Sequence, residues 1–144
     1  LRIAKEKALS VLKDYPNETI IASDQILVCE NNLLSKPKSL EEATKKLLFL
    51  RNKTHKLLSS IYVIRKGKLY FQQVKEASLF FANISQNDIE LYVEDNKKTV
   101  LTTVGSYKIE ENSKYKFLSI IDGDLETILG LPIKDLIKKI RHEK

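Results

Sequence analysis

The order of hydrophobic patterns along the chain predicts an α/β fold, a mixed sheet flanked by helices in a single domain over residues 1–144. Three observations predict it. Helical stripes, with apolar residues three and four apart, alternate with short runs rich in β-branched residues. The two kinds of segment mix from end to end without long linkers, low complexity or internal repeats. A chain of 144 residues, 42% hydrophobic and 31% charged, has the balance and length of one globular domain with a real core.

Each element has its own signal. Residues 1–14 carry a helical stripe at Leu1, Ala4, Ala8, Val11 and Leu12, ended by Tyr15-Pro16-Asn17 because proline disfavours helix in the residue before it. Thr19–Ala22 and Ile26–Cys29 read as two short strands. Glu30-Asn31-Asn32 turns the chain into Leu33–Leu34, making a small hairpin. Ser39 caps the next helix, with Glu41 and Glu42 in its first turn and Leu40, Ala43, Leu47 and Leu50 on its buried face, ending near Arg51-Asn52.

Residues 54–64 and 69–82 are strand-like, joined by Arg65-Lys66-Gly67-Lys68; this long hairpin is expected to form a smaller lobe. Ser85-x-x-Asp88 signals a helix start, with Ile89, Tyr92 and Val93 following. Val100–Val104, Tyr107–Ile109 and Phe117–Ile121 read as further strands. The last helix is placed from Leu131-Pro132, with a stripe of Ile133, Leu136, Ile137 and Ile140.

Composition excludes several classes. No apolar run is long enough to span a bilayer, and the charged helical start is not that of a signal peptide. Lys and Arg exceed Asp and Glu by 25 to 19, a net charge of +6. The lysines are dispersed on outer helix faces, as at Lys134, Lys138, Lys139 and Arg141, with no arginine-rich stripe, so a nucleic-acid partner is not expected. The one cysteine, Cys29, excludes an internal disulfide, fits a cytoplasmic, reducing compartment and reads as core. The chain holds no methionine and opens inside a helical pattern, from which a missing N-terminal piece is expected.

The candidates for chemistry begin with Asp24, in Ser23-Asp24-Gln25 after the apolar run. Read as the C-terminal end of a strand, this is where ligands bind in open α/β sheets. An aspartate there binds a divalent cation or orients an attacking water; it also fits a turn-forming residue. Lys36, in the proline-stiffened loop Ser35-Lys36-Pro37-Lys38, suits a phosphate contact or a surface lysine before a cap. Such an acid and base together can handle a metal-bound polyphosphate. Thr54 and His55 read as structural or pocket-lining, since no second His or Cys stands at metal-ligand spacing. Gly105-Ser106-Tyr107 and Asp122-Gly123-Asp124 read as loops, the second with carboxylates that either face a cation or frame a turn. No GxGxxG, Walker loop, HExxH or GxSxG is present.

In order, these segments resemble the Maf family of nucleoside triphosphate pyrophosphatases. The resemblance rests on Ile20-Ile21-Ala22-Ser23-Asp24-Gln25, Ser35-Lys36-Pro37, Lys53-Thr54-His55, Glu90-x-Tyr92-Val93, Val104-Gly105-Ser106-Tyr107, Asp122-Gly123-Asp124 and Ile128-Leu129-Gly130-Leu131-Pro132. It covers nearly the whole chain. It implies a two-lobed α/β fold related to house-cleaning nucleotide pyrophosphatases, with the active cleft between the lobes. The implied reaction cleaves between the α- and β-phosphates with a divalent metal, Mg2+ or Mn2+. Asp24 is the implied catalytic carboxylate and metal ligand, Lys36 a phosphate contact and Thr54 a pocket residue.

The departures carry information too. The family opens with a strand and a Ser-x-Ser-Pro-Arg-Arg loop that holds the triphosphate, and neither is found in residues 1–144. Where the thymidine/uridine triphosphate branch has a Gln after Gly-Ala-Tyr, this chain has Lys108-Ile109-Glu110-Glu111. That resembles the branch associated with 7-methylguanosine triphosphate, and a glutamate at Glu110 can accept from a guanine's N–H groups. Family members often dimerise, so a homodimer is an expectation, though no segment marks an interface. The family's link to septum formation keeps a non-catalytic nucleotide-binding regulator of cell division as the competing reading.

Overall fold

A computed structural model describes residues 1–143, leaving aside the side chains of Glu111, Ser113 and Lys114. The chain runs α1 (Arg2–Leu12), β1 (Ile20–Cys29), β2 (Asn32–Leu34), α2 (Leu40–Leu50), β3 (Lys53–Arg65), β4 (Lys68–Phe81), α3 (Gln86–Asp95), α4 (Lys97–Val100), a 3-10 turn (Ile109–Glu111), α5 (Asn112–Tyr115), β5 (Leu118–Asp122), α6 (Leu125–Leu129) and α7 (Lys134–His142). The strands form one sheet in the order β2-β1-β3-β4-β5.

The helix-flanked α/β sheet expected from the sequence is present, and its strands run antiparallel rather than mixed. Connectivity explains why. The β1–β2 hairpin reverses the chain, and α2 is a crossover from β2 to β3. A strand–helix–strand crossover keeps direction, so β3 runs with β2 and against the β1 that lies between them. The hairpins are built as their residues require: Glu30 and Asn31 take φ of 50° and 65°, Lys66 and Gly67 55° and 75°, the paired left-handed residues of a tight turn that matches strand twist. Ser39 and Ser85 cap α2 and α3 by accepting from the N–H groups of Glu42 and Asp88.

Several expectations are corrected. Thr19–Ala22 and Ile26–Cys29 are one strand, because the polar trio between them has partners on both faces and needs no turn. Asp24 therefore stands inside β1, not at a strand end. Val100–Val104 and Tyr107–Ile109 are not strands. Val100 closes the short α4, which packs on α2 and α3, and Ser106 at φ 62° breaks any extended run. The five-residue α6 carries no readable periodicity, though Asp124 and Gly130 mark its ends. Gly130, at φ 93°, stops α6, so α7 begins only at Lys134.

The chain divides into two compact units: residues Leu1–Gln25, Leu58–Glu76 and from Gly123 onward, and residues Ile26–Leu57 with Ala77–Asp122. The long hairpin is thus not a lobe by itself, since its tip belongs to the first unit and its base to the second. In the first unit β3 alternates between two layers. Tyr62 and Ile64 join Ile20, Ala4 and Ala8 under α1, whose alanines permit close approach, while Ile61 and Val63 meet Leu136 of α7. In the second unit Leu47 and Leu50 of α2 and Ile89 and Tyr92 of α3 are buried, and Phe81, Tyr92, Tyr107, Tyr115 and Phe117 form a continuous set of ring contacts. No helix among the described residues is long and apolar enough to cross a membrane.

Candidate active site

In the first unit, alternation along β1 sends Ile20 and Ala22 toward α1, and Asp24 is the next residue on that face. There the Lys7 ammonium lies 3.5 Å from Asp24 Oδ1 and donates to the Ser23 carbonyl at 3.2 Å. The Asp24 side chain keeps 20% of its surface exposed, so it is held by a cation yet open to a ligand. Lys7 was not singled out from the sequence. The available signal was its place beside Ala8 and three residues after Ala4, the two alanines that face the sheet.

Gln25 points to the other face. Its Nε2 donates to the carbonyls of Ile128 at 2.8 Å and Thr127 at 3.1 Å, and lies 3.2 Å from Ser59 Oγ, which itself donates to Thr127 O. Ile20–Gln25 and Ile128–Pro132, two segments 103 residues apart between Gln25 and Ile128, are thereby fastened together. Replacing Gln25 with Leu should strip the donor from the Ile128 carbonyl at the end of α6 and lower stability by about 2 kcal/mol. Urea unfolding at neutral pH reads this directly.

Asp124 has a cation of its own, and it is a lysine. Lys75 Nζ donates to Asp124 Oδ2 at 2.7 Å, while Oδ1 accepts from Thr127 N–H and Oγ1 at 2.9 and 2.7 Å. The lysine first and the threonine donors second hold this carboxyl well below the usual range. A depressed carboxylate contributes stability above its unfolded-state pKa and loses it only as strong acid titrates the folded form. Asp124→Ala should cost about 1–2 kcal/mol, a cap and a partly buried pair together, measured by thermal unfolding at pH 7.

In the second unit, Lys36 is exposed on the loop between β2 and α2. The loop around it is fastened: Pro37 is buried, Lys46 donates to the Ser35 carbonyl, and Glu42 accepts from Lys38 N–H at 3.3 Å. Thr54 is exposed near the start of β3, its carbonyl accepting from Cys29 Sγ at 3.7 Å. Glu110 is exposed on the 3-10 turn. His55 is 1% exposed, and its Nε2 is 2.6 Å from the Tyr107 hydroxyl with the rings edge to face. Burial lowers the His55 pKa to about 4, so the imidazole is neutral at pH 7 and serves structure, as its residue type and spacing suggested.

The structure thus groups Asp24 with Lys7 and Gln25 in one unit, and Lys36, Thr54 and Glu110 on three segments of the other. Among the described residues no three His, Cys, Asp or Glu side chains converge as a metal cage. A single partly exposed carboxylate nevertheless fits Mg2+, which keeps several waters and is held by one or two protein oxygens plus substrate phosphates.

An antiparallel sheet flanked by helices, with a partly exposed acid on β1 salt-linked to a helix lysine, defines the class: an α/β protein with an acid–cation pair open to solvent. The profile of the Maf-like proteins matches residues 1–143, and the chain belongs to that family. A nucleoside triphosphate pyrophosphatase of Paramagnetospirillum magneticum is 36% identical over 140 residues, covering 97% of this chain and 72% of its own length. A dTTP/UTP pyrophosphatase of Acholeplasma laidlawii is 34% identical over 139 residues, covering 96% and 71%. A 7-methyl-GTP pyrophosphatase of Bartonella henselae is 34% identical over 140 residues, covering 97% and 70%.

Proposed function

We propose that this protein hydrolyses a nucleoside triphosphate to the monophosphate and pyrophosphate. The observation that carries the reading is Asp24, held within β1 against Lys7 and still open to solvent. In this reading Asp24 accepts the proton of a water that attacks the α-phosphorus. The bond from that phosphorus to the bridging oxygen breaks, and pyrophosphate leaves with the electron pair. Lys7, beside Asp24, offers positive charge to the phosphates, and Lys36 offers a second cation from its fastened loop. A Mg2+ or Mn2+ ion on Asp24 would supply charge neutralisation at the phosphate oxygens.

Glu110 reads the base, accepting from guanine-type N–H groups, which favours a 7-methylguanosine-type over a pyrimidine triphosphate. Thr54 lines the pocket. The reading places the enzyme in the cytoplasm, where the unpaired Cys29 thiol stays reduced.

The reading also includes a further strand and phosphate-binding loop. The edge of β1 supports this. Among the described residues β2 pairs with Leu27–Cys29 and the outward backbone groups of Ile21 and Ser23 meet no strand, while Lys7 donates to the Ser23 carbonyl. A groove of about 520 Å3, lined by Val11, Tyr15 and Ile21 among others, runs beside that edge. A strand there would place its following loop near Lys7 and Asp24.

The test is pyrophosphate release by the full-length protein from canonical and methylated nucleoside triphosphates with Mg2+, beside Asp24→Asn. Release that vanishes in the variant supports the reading. A folded protein that releases pyrophosphate from none of them overturns it and leaves the regulator of cell division.

A further inference from the structure

We infer that His55 is a positioning residue: through Tyr107 it holds the segment that carries Glu110, and so sets which base the enzyme accepts. The inference rests on the proposed role of Glu110. It starts from the way the segment Tyr107–Asn112 is pinned at both ends. At one end the Tyr107 hydroxyl is 2.6 Å from His55 Nε2 inside the second unit, and both residues are buried. At the other end Asn112 grips the backbone of Leu118 on both sides, its Nδ2 donating to the carbonyl at 2.9 Å and its Oδ1 accepting from the N–H at 2.8 Å. Glu110 stands between the two pins, exposed on the 3-10 turn.

The chain before Tyr107 is shaped to deliver it. Ser106 is buried in the left-handed region at φ 62°, folding the backbone so that the Tyr107 ring lies against Gly105. A Cβ at Gly105 would stand 2.3 Å from Tyr107 Cε2, so glycine is required there by space. A strained turn, a space-limited glycine and a buried hydrogen bond all act on one tyrosine, three residues before the proposed base-reading Glu110. A buried tyrosine hydroxyl takes a partner in any case; here that partner fixes the ring at the start of the short segment that leads to Glu110. His55 comes from the Lys53-Thr54-His55 segment and Tyr107 from Gly105-Ser106-Tyr107, so the contact also gives two sequence segments one shared purpose.

The test uses the full-length protein with His55→Phe, the milder Tyr107→Phe, their double variant and Glu110→Gln. Two kinds of measurement are made: steady-state kinetics, giving kcat and KM across a panel of guanine-type and pyrimidine triphosphates, and hydrogen exchange of residues 108–111. Each single variant should raise KM for the preferred base roughly 3- to 10-fold, the worth of one hydrogen bond, with kcat nearly unchanged and the preference narrowed. The double variant should be no worse than either single one, since both remove the same bond. Exchange at 108–111 should speed up in all three.

A fall in activity by one factor for every base, with unchanged exchange at 108–111, would overturn the inference and leave His55 as core packing. If Glu110→Gln leaves the preference intact, the role of Glu110 fails, and the specificity claim for His55 fails with it. Exchange then decides separately whether His55 holds the segment.

Discussion

Asp24→Asn should lower kcat for pyrophosphate release by about 10²–10⁴, the range that a positioned general base contributes, while leaving the fold in place. The two halves of that expectation have different causes. Asparagine keeps the shape of aspartate but can neither take a proton from water at neutral pH nor offer a charged oxygen to Mg2+. The fold, by contrast, draws little from the charge. The Lys7–Asp24 pair is 3.5 Å apart with the lysine side chain 56% exposed, and such pairs are worth up to about 1 kcal/mol. Thermal unfolding of the variant should therefore lie close to that of the wild type. A variant that retains more than a tenth of the wild-type kcat would remove Asp24 from the mechanism. One that unfolds at room temperature would make its role structural.

Acid should destabilise the protein through His55, and between pH 6.5 and about 5 few other groups titrate. The folded-state pKa is about 4 because burial penalises the imidazolium, whereas the unfolded chain has the ordinary value of about 6.5. Between those values the unfolded state binds the extra proton, so stability falls as pH drops from 6.5 to 4 and levels off below. The two pKa values set the loss at about 3 kcal/mol. Urea unfolding from pH 7 to 4 measures it. His55→Phe should be less stable than wild type at pH 7, having lost the Tyr107 bond, and should approach or pass it at pH 4. Parallel curves for the two proteins would mean that His55 is protonated in the folded state without penalty. The carboxylates held low by cationic partners and hydrogen bonds, Asp124 among them, begin to lose their contribution near pH 5, so the part of the curve above pH 5 and the difference from His55→Phe isolate the histidine.

Elements whose signals are local were legible in the sequence. Ser39 and Ser85 cap their helices by side-chain geometry within three residues, and the turns at Glu30-Asn31 and Lys66-Gly67 need only their own backbone. The stripe of Ala43, Leu47 and Leu50 needs only the helical period. The segments misread share a different trait. Val100–Val104 is β-branched, yet packing on α2 and α3 overrides that propensity. Ser23-Asp24-Gln25 looks like a turn because three polar residues interrupt an apolar run, and it is a strand because each face of β1 supplies a polar partner.

The candidate site divides along the same line. Asp24 and Lys36 were visible as residue types in their segments. The partners that define Asp24 and Gln25 were not, because Lys7 is 17 positions from Asp24 and Ile128 is 103 from Gln25. By itself the sequence determined the family and the helix-flanked sheet, and it singled out Asp24 as the candidate acid, all from short-range pattern and motif order. Only the tertiary structure decided that Asp24 lies inside a strand with a lysine beside it, that Asp124 is a cap paired to Lys75, and that His55 and Tyr107 meet in the core. Those facts depend on which distant side chains the sheet brings within hydrogen-bonding distance, and no periodicity along the chain encodes that.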